Sequence, residues 1–388
     1  MPASTTLLVG TTKGLFLLKS DPDRQSWTQQ GPLCDLWPIN HAAGDGDSGR
    51  IWAGGGSGWH GAGVWALDDS GASWHLTKLA NGEADAWARN NPEEAAIFGL
   101  TDPGDGPFDG EIDAIWSLCF AHDRLYAGSK PANLYQSNDN GRSWTRFTGL
   151  AEFPERDQWQ PGAVGLTLHT IVPHPDDPER LWIGISAAGV FATENGGQSW
   201  ERRVRRDNST PATPSQHPAA GSDTEIGGCV HNMQLVQAGD GVRLYQQNHH
   251  GVYRSSDGAR SWQNITEGLP SIFGFPIAVH PHDPDMVWTF PLNGDTRGRY
   301  PIDGSAAVWK SSDGGMNWIP QQSGLPTENC FFTVLRQAMS VDRHDTPAVF
   351  FGTNSGSVFA SLDEGESWSE IAAHLPTVLC VEAVTHHG

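Results

Sequence analysis

One short pattern occurs seven times along the chain: SDPDRQSW at 20–27, LDDSGASW at 67–74, SNDNGRSW at 137–144, TENGGQSW at 193–200, SSDGARSW at 255–262, SSDGGMNW at 311–318 and SLDEGESW at 361–368. Each copy follows a short β-branched or aromatic run (GLFLLK, GVWAL, NLYQS, GVFAT, GVYRS, AVWKS, SVFAS). The spacing predicts a strand that enters a tight turn and leaves through Ser-Trp. In such a hairpin a turn Asp accepts hydrogen bonds from the following N–H groups, Gly supplies a positive φ, and the Trp ring covers the apolar side. Every repeat needs the same turn chemistry, so these carboxylates are assigned to structure rather than catalysis.

Upstream of each copy lies a second run ending in a turn (LLVGT, IWAGG, LYAGS, LWIGI, LYQQN, VWTFP, VFFGT) and, before most of them, a third (PINHAA, DAIWSLCF, LTLHTIVPHP, CVHNMQLV, FGFPIAVHP, FFTVLRQAM). Four short strands per repeat make a propeller blade, so the expected fold class is all-β, a seven-bladed β-propeller. Successive repeat tryptophans, from Trp27 through Trp74, Trp144, Trp200, Trp262 and Trp318 to Trp368, are 47, 70, 56, 62, 56 and 50 residues apart. The 20 residues after Trp368 and the 27 through Trp27 make one further repeat length of 47. The segment at 377–384 (TVLCVEAV) therefore supplies the innermost strand that the N-terminal repeat lacks, and the two termini share a blade. One domain over 1–388 with no internal linker is expected.

Composition narrows the function. With 46 Gly and 26 Pro, long helices are disfavoured, and a net charge of −21 disfavours nucleic acid and anionic lipid as partners. No apolar run is long enough to cross a bilayer and the N-terminus has no signal-peptide pattern, which predicts a cytoplasmic protein without a membrane partner. Cys34, Cys119, Cys229, Cys330 and Cys380 are odd in number, scattered and never in a CxxC pair, so neither a disulfide framework nor a cysteine zinc knot is expected.

Strands in a blade, labelled A to D from the channel outward, alternate in direction. The A–B and C–D turns lie on one face with the repeat hairpins and the turn histidines His174, His280 and His282. The D–A and B–C loops lie on the other. Long connections at 75–110, 145–165 and 201–228 fall on that second face, where sites usually sit on a rigid scaffold. Three histidines stand near the beginnings of A strands: His41, His169 and His231. Imidazoles from separate strands around one axis suit a divalent Zn, Fe, Cu or Mn ion with open positions, and these three are the expected metal ligands. A metal-free ligand pocket is the alternative. Nearby candidates are Glu111, His249 and Tyr300 for catalysis, with Asp113 and Asp295 as further acids. Lys130, Arg297 and Trp159 are candidates for substrate binding, and His60, His250 and Trp59 lie in the same loops.

The consensus S-x-D-x-G-x-[ST]-W resembles the Asp-box of BNR repeats. The stretches WQPGAVGLTLHT, GISAAGVF, YQQNHHGVYRS, FGFPIAVHPHDPD and FGTNSGSVFASLDEGESW resemble a bacterial group of intracellular YVTN/BNR-like proteins labelled glycosyl hydrolase or exo-α-sialidase. That resemblance implies a glycosidase-like hydrolase on a small polar or carbohydrate substrate. Sialidases proper are similar only in the boxes, since no Arg-Ile-Pro motif is present. A glycoside hydrolase without metal needs two carboxylates, for which Glu111 with Asp113 or Asp295 are the pairs available; lyase chemistry would use His and Tyr. The competing class is a non-enzymatic propeller that binds a protein or glycan on its loop-bearing face.

Overall fold

The repeats fold as seven four-stranded antiparallel sheets. The computed structural model describes residues 4–68, 71–207 and 224–386. Six sheets run in simple chain order, with innermost strands Ile39–Gly44, Ala114–Ala121, Thr167–Pro173, Val230–Ala238, Gly274–Val279 and Met339–Val341 in blades 2 to 7. In blade 1 the innermost strand is Val378–His386, paired antiparallel with Ser4–Thr11, so the ends of the chain close one sheet. Each innermost strand contacts that of the next blade, and the seventh contacts the first. The ring is complete.

The turn chemistry recurs from blade to blade. The Asp139 carboxylate accepts from the Ser143 N–H (2.9 Å), the Ser143 hydroxyl (2.6 Å) and the Ser137 hydroxyl (2.7 Å). Asp257, Asp313 and Asp363 repeat the pattern, and Asn195 makes the equivalent backbone bond from Ser199 without a charge. In the first two blades the accepting residues are Asp21 and Asp68. Burial opposes ionisation at Asp139, yet the serine hydrogen bonds hold its carboxyl down to about 2; Asp313, bonded by Asn317, is likewise at about 2. A carboxyl depressed in the folded state stabilises above its unfolded value near 4 and loses that contribution as pH falls toward 2. The melting temperature should therefore drop across that window. Asp139→Asn combined with Asp313→Asn, which copies the uncharged turn at Asn195, should make the drop shallower in calorimetric melts; an unchanged slope would assign acid lability elsewhere.

A second set of tryptophans stitches blades together. Trp52, Trp182 and Trp288, on the second strands of blades 2, 4 and 6, are at most 1% exposed, and their indole N–H groups donate to Asn140, Gly258 and Glu364 carbonyls in the hairpin turns of blades 3, 5 and 7. The ring thus closes through polar as well as apolar contacts. The acidic connection at 75–110 carries two short helices, Glu83–Asn90 and Pro92–Ile97, and the connection at 145–165 carries Thr148–Ala151 and a 3-10 turn at Arg156–Gln158. The Pro/Ser/Thr-rich stretch expected to form a loop on the same face lies largely outside the described residues.

Candidate functional site at the channel mouth

The innermost strands share a defect that sets the site. Their pairing with the second strand slips between Ile39 and His41, Ile115 and Ser117, Leu168 and Thr170, Val230 and Asn232, and Gly274 and Ile277. Asn40, Trp116, His169, His231 and the Phe275–Pro276 pair are thereby the extra residues of five β-bulges, a device that re-aims a side chain. The residue after the bulge ties the blade to another strand. His41 Nδ1 accepts from the Leu118 N–H (2.9 Å), the Ser117 hydroxyl donates to Leu168 O (2.9 Å), the Thr170 hydroxyl donates to Met233 O (3.2 Å), and Asn232 Nδ2 donates to Arg336 O (2.6 Å).

His41 is therefore one position out of phase with His169 and His231. It serves as an acceptor for a neighbouring blade, and burial pushes it down to about 4. Of the expected trio of His41, His169 and His231, His231 alone belongs to the close group of three possible ligands found among the described residues. Among the described residues, the group of three whose ligand atoms all lie within 4.8 Å of one another is Cys229, His231 and His249. Cys229 and His231 alternate along the entry to the blade 5 innermost strand, and His249 follows Asn248, the partner of Val230. The His249 N–H donates to Cys229 O at 3.0 Å, which locks loop to strand. His231 is 1% exposed, and its Nδ1–H donates to Gly274 O at 2.6 Å, leaving Nε2 facing Cys229 Sγ at 3.7 Å. Burial, followed by the positive charge of Arg336, holds His231 and His169 well below the usual imidazole range, so both are neutral. Burial raises the Cys229 thiol, against a hydrogen bond from Ser186.

The outer part of the site comes from blade 6. Asp295 Oδ2 lies 2.9 Å from His249 Nε2, and Arg299 pairs with Asp295 at 2.5 Å. Arg336, just before the innermost strand of blade 7, sets its guanidinium 4.4 Å from the Phe275 ring centre. Exposure rises outward: the Cys229 residue is 6% exposed, and the side chains of His249, Asp295 and Arg299 are 13%, 27% and 35% exposed. Gln337 reaches across the mouth to His169 O (2.5 Å). His169, fully buried, has no hydrogen-bond partner at either ring nitrogen among the described residues.

The remaining candidates lie apart from these contacts. Glu111 is exposed and pairs with Arg146 at 2.5 Å, and Asp113 is tied through its N–H to Lys130 O. Tyr300 packs edge-on against Phe331, with ring centres 5.1 Å apart. Lys130 lies across Gly165. Trp159 packs between Phe153 and Phe191 beneath Arg156, so its faces are taken. Arg297 is exposed and holds Asn293 through its carbonyl, whereas Arg299 is the arginine at the acid. His60 bonds Ser57, and His250 is buried beside His249. Sequence reasoning left out Cys229, Arg299 and Arg336; the alternation Cys-Val-His at 229–231 was the available signal for the first.

Below the mouth the channel continues as a cavity of about 730 Å³ that includes His41, Cys119, His169, Gln234, Arg343 and Glu382 and reaches the A–B turns at Asp45–Asp47 and His174. Burial pushes the Glu382 carboxyl up to about 7.

No protein-family profile matches the chain. It is 25% identical over 220 residues to an oligoxyloglucan-reducing end-specific xyloglucanase of Emericella nidulans, covering 51% of this chain and 26% of that one. Its fold is similar to the GH74 xyloglucanase of Xanthomonas campestris (TM-score 0.58, 16% identity, 95% of this chain and 52% of that one). It is also similar to YCF48 of Cyanidioschyzon merolae (TM-score 0.51, 13% identity, 86% and 84%). The chain thus spans about a quarter of the curated xyloglucanase and about half of the solved one. These likenesses agree with the sheet count and the closing strand: the fold is a seven-bladed β-propeller of the architecture found in xyloglucanases.

Proposed function

We propose that the protein is a glycosidase-like hydrolase that works at the His-rich channel mouth on a small polar, sugar-like substrate. The observation that carries this reading is the 2.9 Å contact between His249 and Asp295, set at the accessible lip of an otherwise buried cluster. A carboxylate held by an imidazole and an arginine is positioned to take a proton from attacking water, with His249 fixing its orientation. Arg336 and Arg299 supply donors for substrate oxygens. The partial sequence similarity to a xyloglucanase supports a carbohydrate as the substrate class.

The test is reducing-sugar release from xyloglucan oligosaccharides and a panel of aryl glycosides, run with metal-free and Zn²⁺-supplemented protein. Turnover of at least one substrate is expected, with Asp295→Asn lowering kcat by about 100-fold or more at an unchanged melting temperature. Absence of turnover across the panel in both conditions, or a fully active Asp295→Asn variant, would defeat the reading. A second reading, a glycan- or protein-binding propeller, is favoured by the exposed Trp59, Ile97, Phe98 and Phe331, which are 52%, 80%, 71% and 65% exposed. It predicts saturable binding without turnover.

A further inference from the structure

We infer that Cys229, His231 and His249 form a binding site for a transition-metal ion of the Zn²⁺ class, with Asp295 as the carboxylate that orients His249. The inference goes beyond the hydrolytic reading and stands without it. Three features support it. A tetrahedral Zn²⁺ with a thiolate at about 2.3 Å and an imidazole at about 2.0–2.1 Å requires sulfur and nitrogen about 3.6 Å apart, and Cys229 Sγ and His231 Nε2 are 3.7 Å apart. Next, the ring of His231 is already aimed, since its other nitrogen donates to the Gly274 carbonyl, and the Asp295 contact does the same for His249; backbone carbonyls and carboxylates are the usual partners behind metal-bound imidazoles. Finally, strand pairing and the His249-to-Cys229 backbone bond fix all three ligands on one blade, so assembling them requires no loop closure.

Three protein ligands would leave one tetrahedral position for water or a ligand, the pattern of a site that meets a ligand rather than a four-ligand structural one. Mixed thiolate and imidazole donors favour Zn²⁺ over the oxygen-seeking Mg²⁺ and Ca²⁺. Without an ion, the same atoms would form a buried thiol–imidazole contact that contributes only packing.

Metal uptake decides between these without any substrate. Tag-free full-length protein is stripped with chelator, titrated with Co²⁺ and then with Zn²⁺. The expected result is one Co²⁺ per chain with a thiolate-to-cobalt charge-transfer band in the near ultraviolet, bleached by equimolar Zn²⁺. Cys229→Ser should lose the band and His231→Ala should lose stoichiometric binding. Asp295→Asn should keep the band at about 10- to 100-fold weaker affinity, and His41→Gln should bind as the wild type does. Failure of wild-type protein to take up equimolar metal, or uptake without the thiolate band, overturns the proposal and assigns any bound metal to exposed histidines such as His282 and His374. Because the wild-type spectrum decides alone, a variant that fails to fold leaves the answer intact. Metal bound without glycoside turnover would sink the hydrolytic reading and leave the site standing.

Discussion

Deleting residues 377–388 is expected to abolish cooperative unfolding, leaving a chain that binds hydrophobic dyes and shows no sharp melt. The closing strand Val378–His386 pairs along the whole of Ser4–Thr11 and places Val378, Cys380, Val381 and Val384 in the core, each at most 5% exposed. Burying three valine side chains contributes roughly 5–9 kcal/mol, which is comparable to the entire stability of a typical domain, about 5–15 kcal/mol. The loss also exposes the free edge of Ser4–Thr11 and removes contacts to the innermost strands of blades 2 and 7. A peptide spanning 377–388, added in trans, should restore a melt in proportion to its concentration. A deletion variant that melts as sharply and at the same temperature as the full chain would show that six complete blades suffice and that closure by the C-terminal strand is incidental. Val381→Asp, which buries one carboxylate in the same seam, should fall between the two and be strongly acid-stabilised relative to its own behaviour at neutral pH.

The blades were legible because their signal is local and repeated. A turn that needs an acceptor, a positive φ and an aromatic cover writes the same residues seven times, and the interval between Trp368 and Trp27 across the termini gives closure by arithmetic. The site was legible only in part. His231 and His249 could be named from their places at a strand beginning and a B–C loop, but His41 could not be separated from them. The extra residue of the bulge is Asn40 in blade 2 and His231 in blade 5, and nothing in a string of residues marks where pairing slips by one. Cys229 was passed over because cysteine spacing along the chain carries no information about a ligand set assembled from a strand and a loop. The 3-10 turn at Asp295–Arg297 decides that Arg299 pairs with the acid while Arg297 faces solvent, a local backbone choice that charge patterning does not reveal. Trp159 shows the converse: an exposed-looking QWQPG segment hides its ring because Phe153, Phe191 and Arg156 close over it.

Replacing Arg336 by Met should raise the melting temperature and weaken substrate binding at once. Arg336 is held by its backbone: its carbonyl receives Asn232 from blade 5, and the next residue, Gln337, reaches the His169 carbonyl in blade 4. Its guanidinium has no ion pair within 4.0 Å among the described residues, and its Nε lacks a hydrogen-bond partner. Burial pushes its pKa down to about 10, a shift that signals a desolvation cost on the order of a few kcal/mol. Stacking on Phe275 returns about 2 kcal/mol or less. Methionine fills similar volume without the charge, and because no ion-pair partner is left stranded, the exchange removes the desolvation cost without creating a new buried unpaired charge. On the proposed hydrolytic reading, this cation beside Cys229, His231 and Asp295 is a donor for substrate oxygens, since no protein carboxylate among the described residues pairs with it. Arg336→Met should therefore raise KM about tenfold or more with a smaller change in kcat. Co²⁺ affinity at the neighbouring cluster should rise, because a like charge has been removed from the ion's surroundings. A variant that melts lower and binds substrate normally would make Arg336 a structural peg instead, with its stacking on Phe275 outweighing the desolvation of its charge.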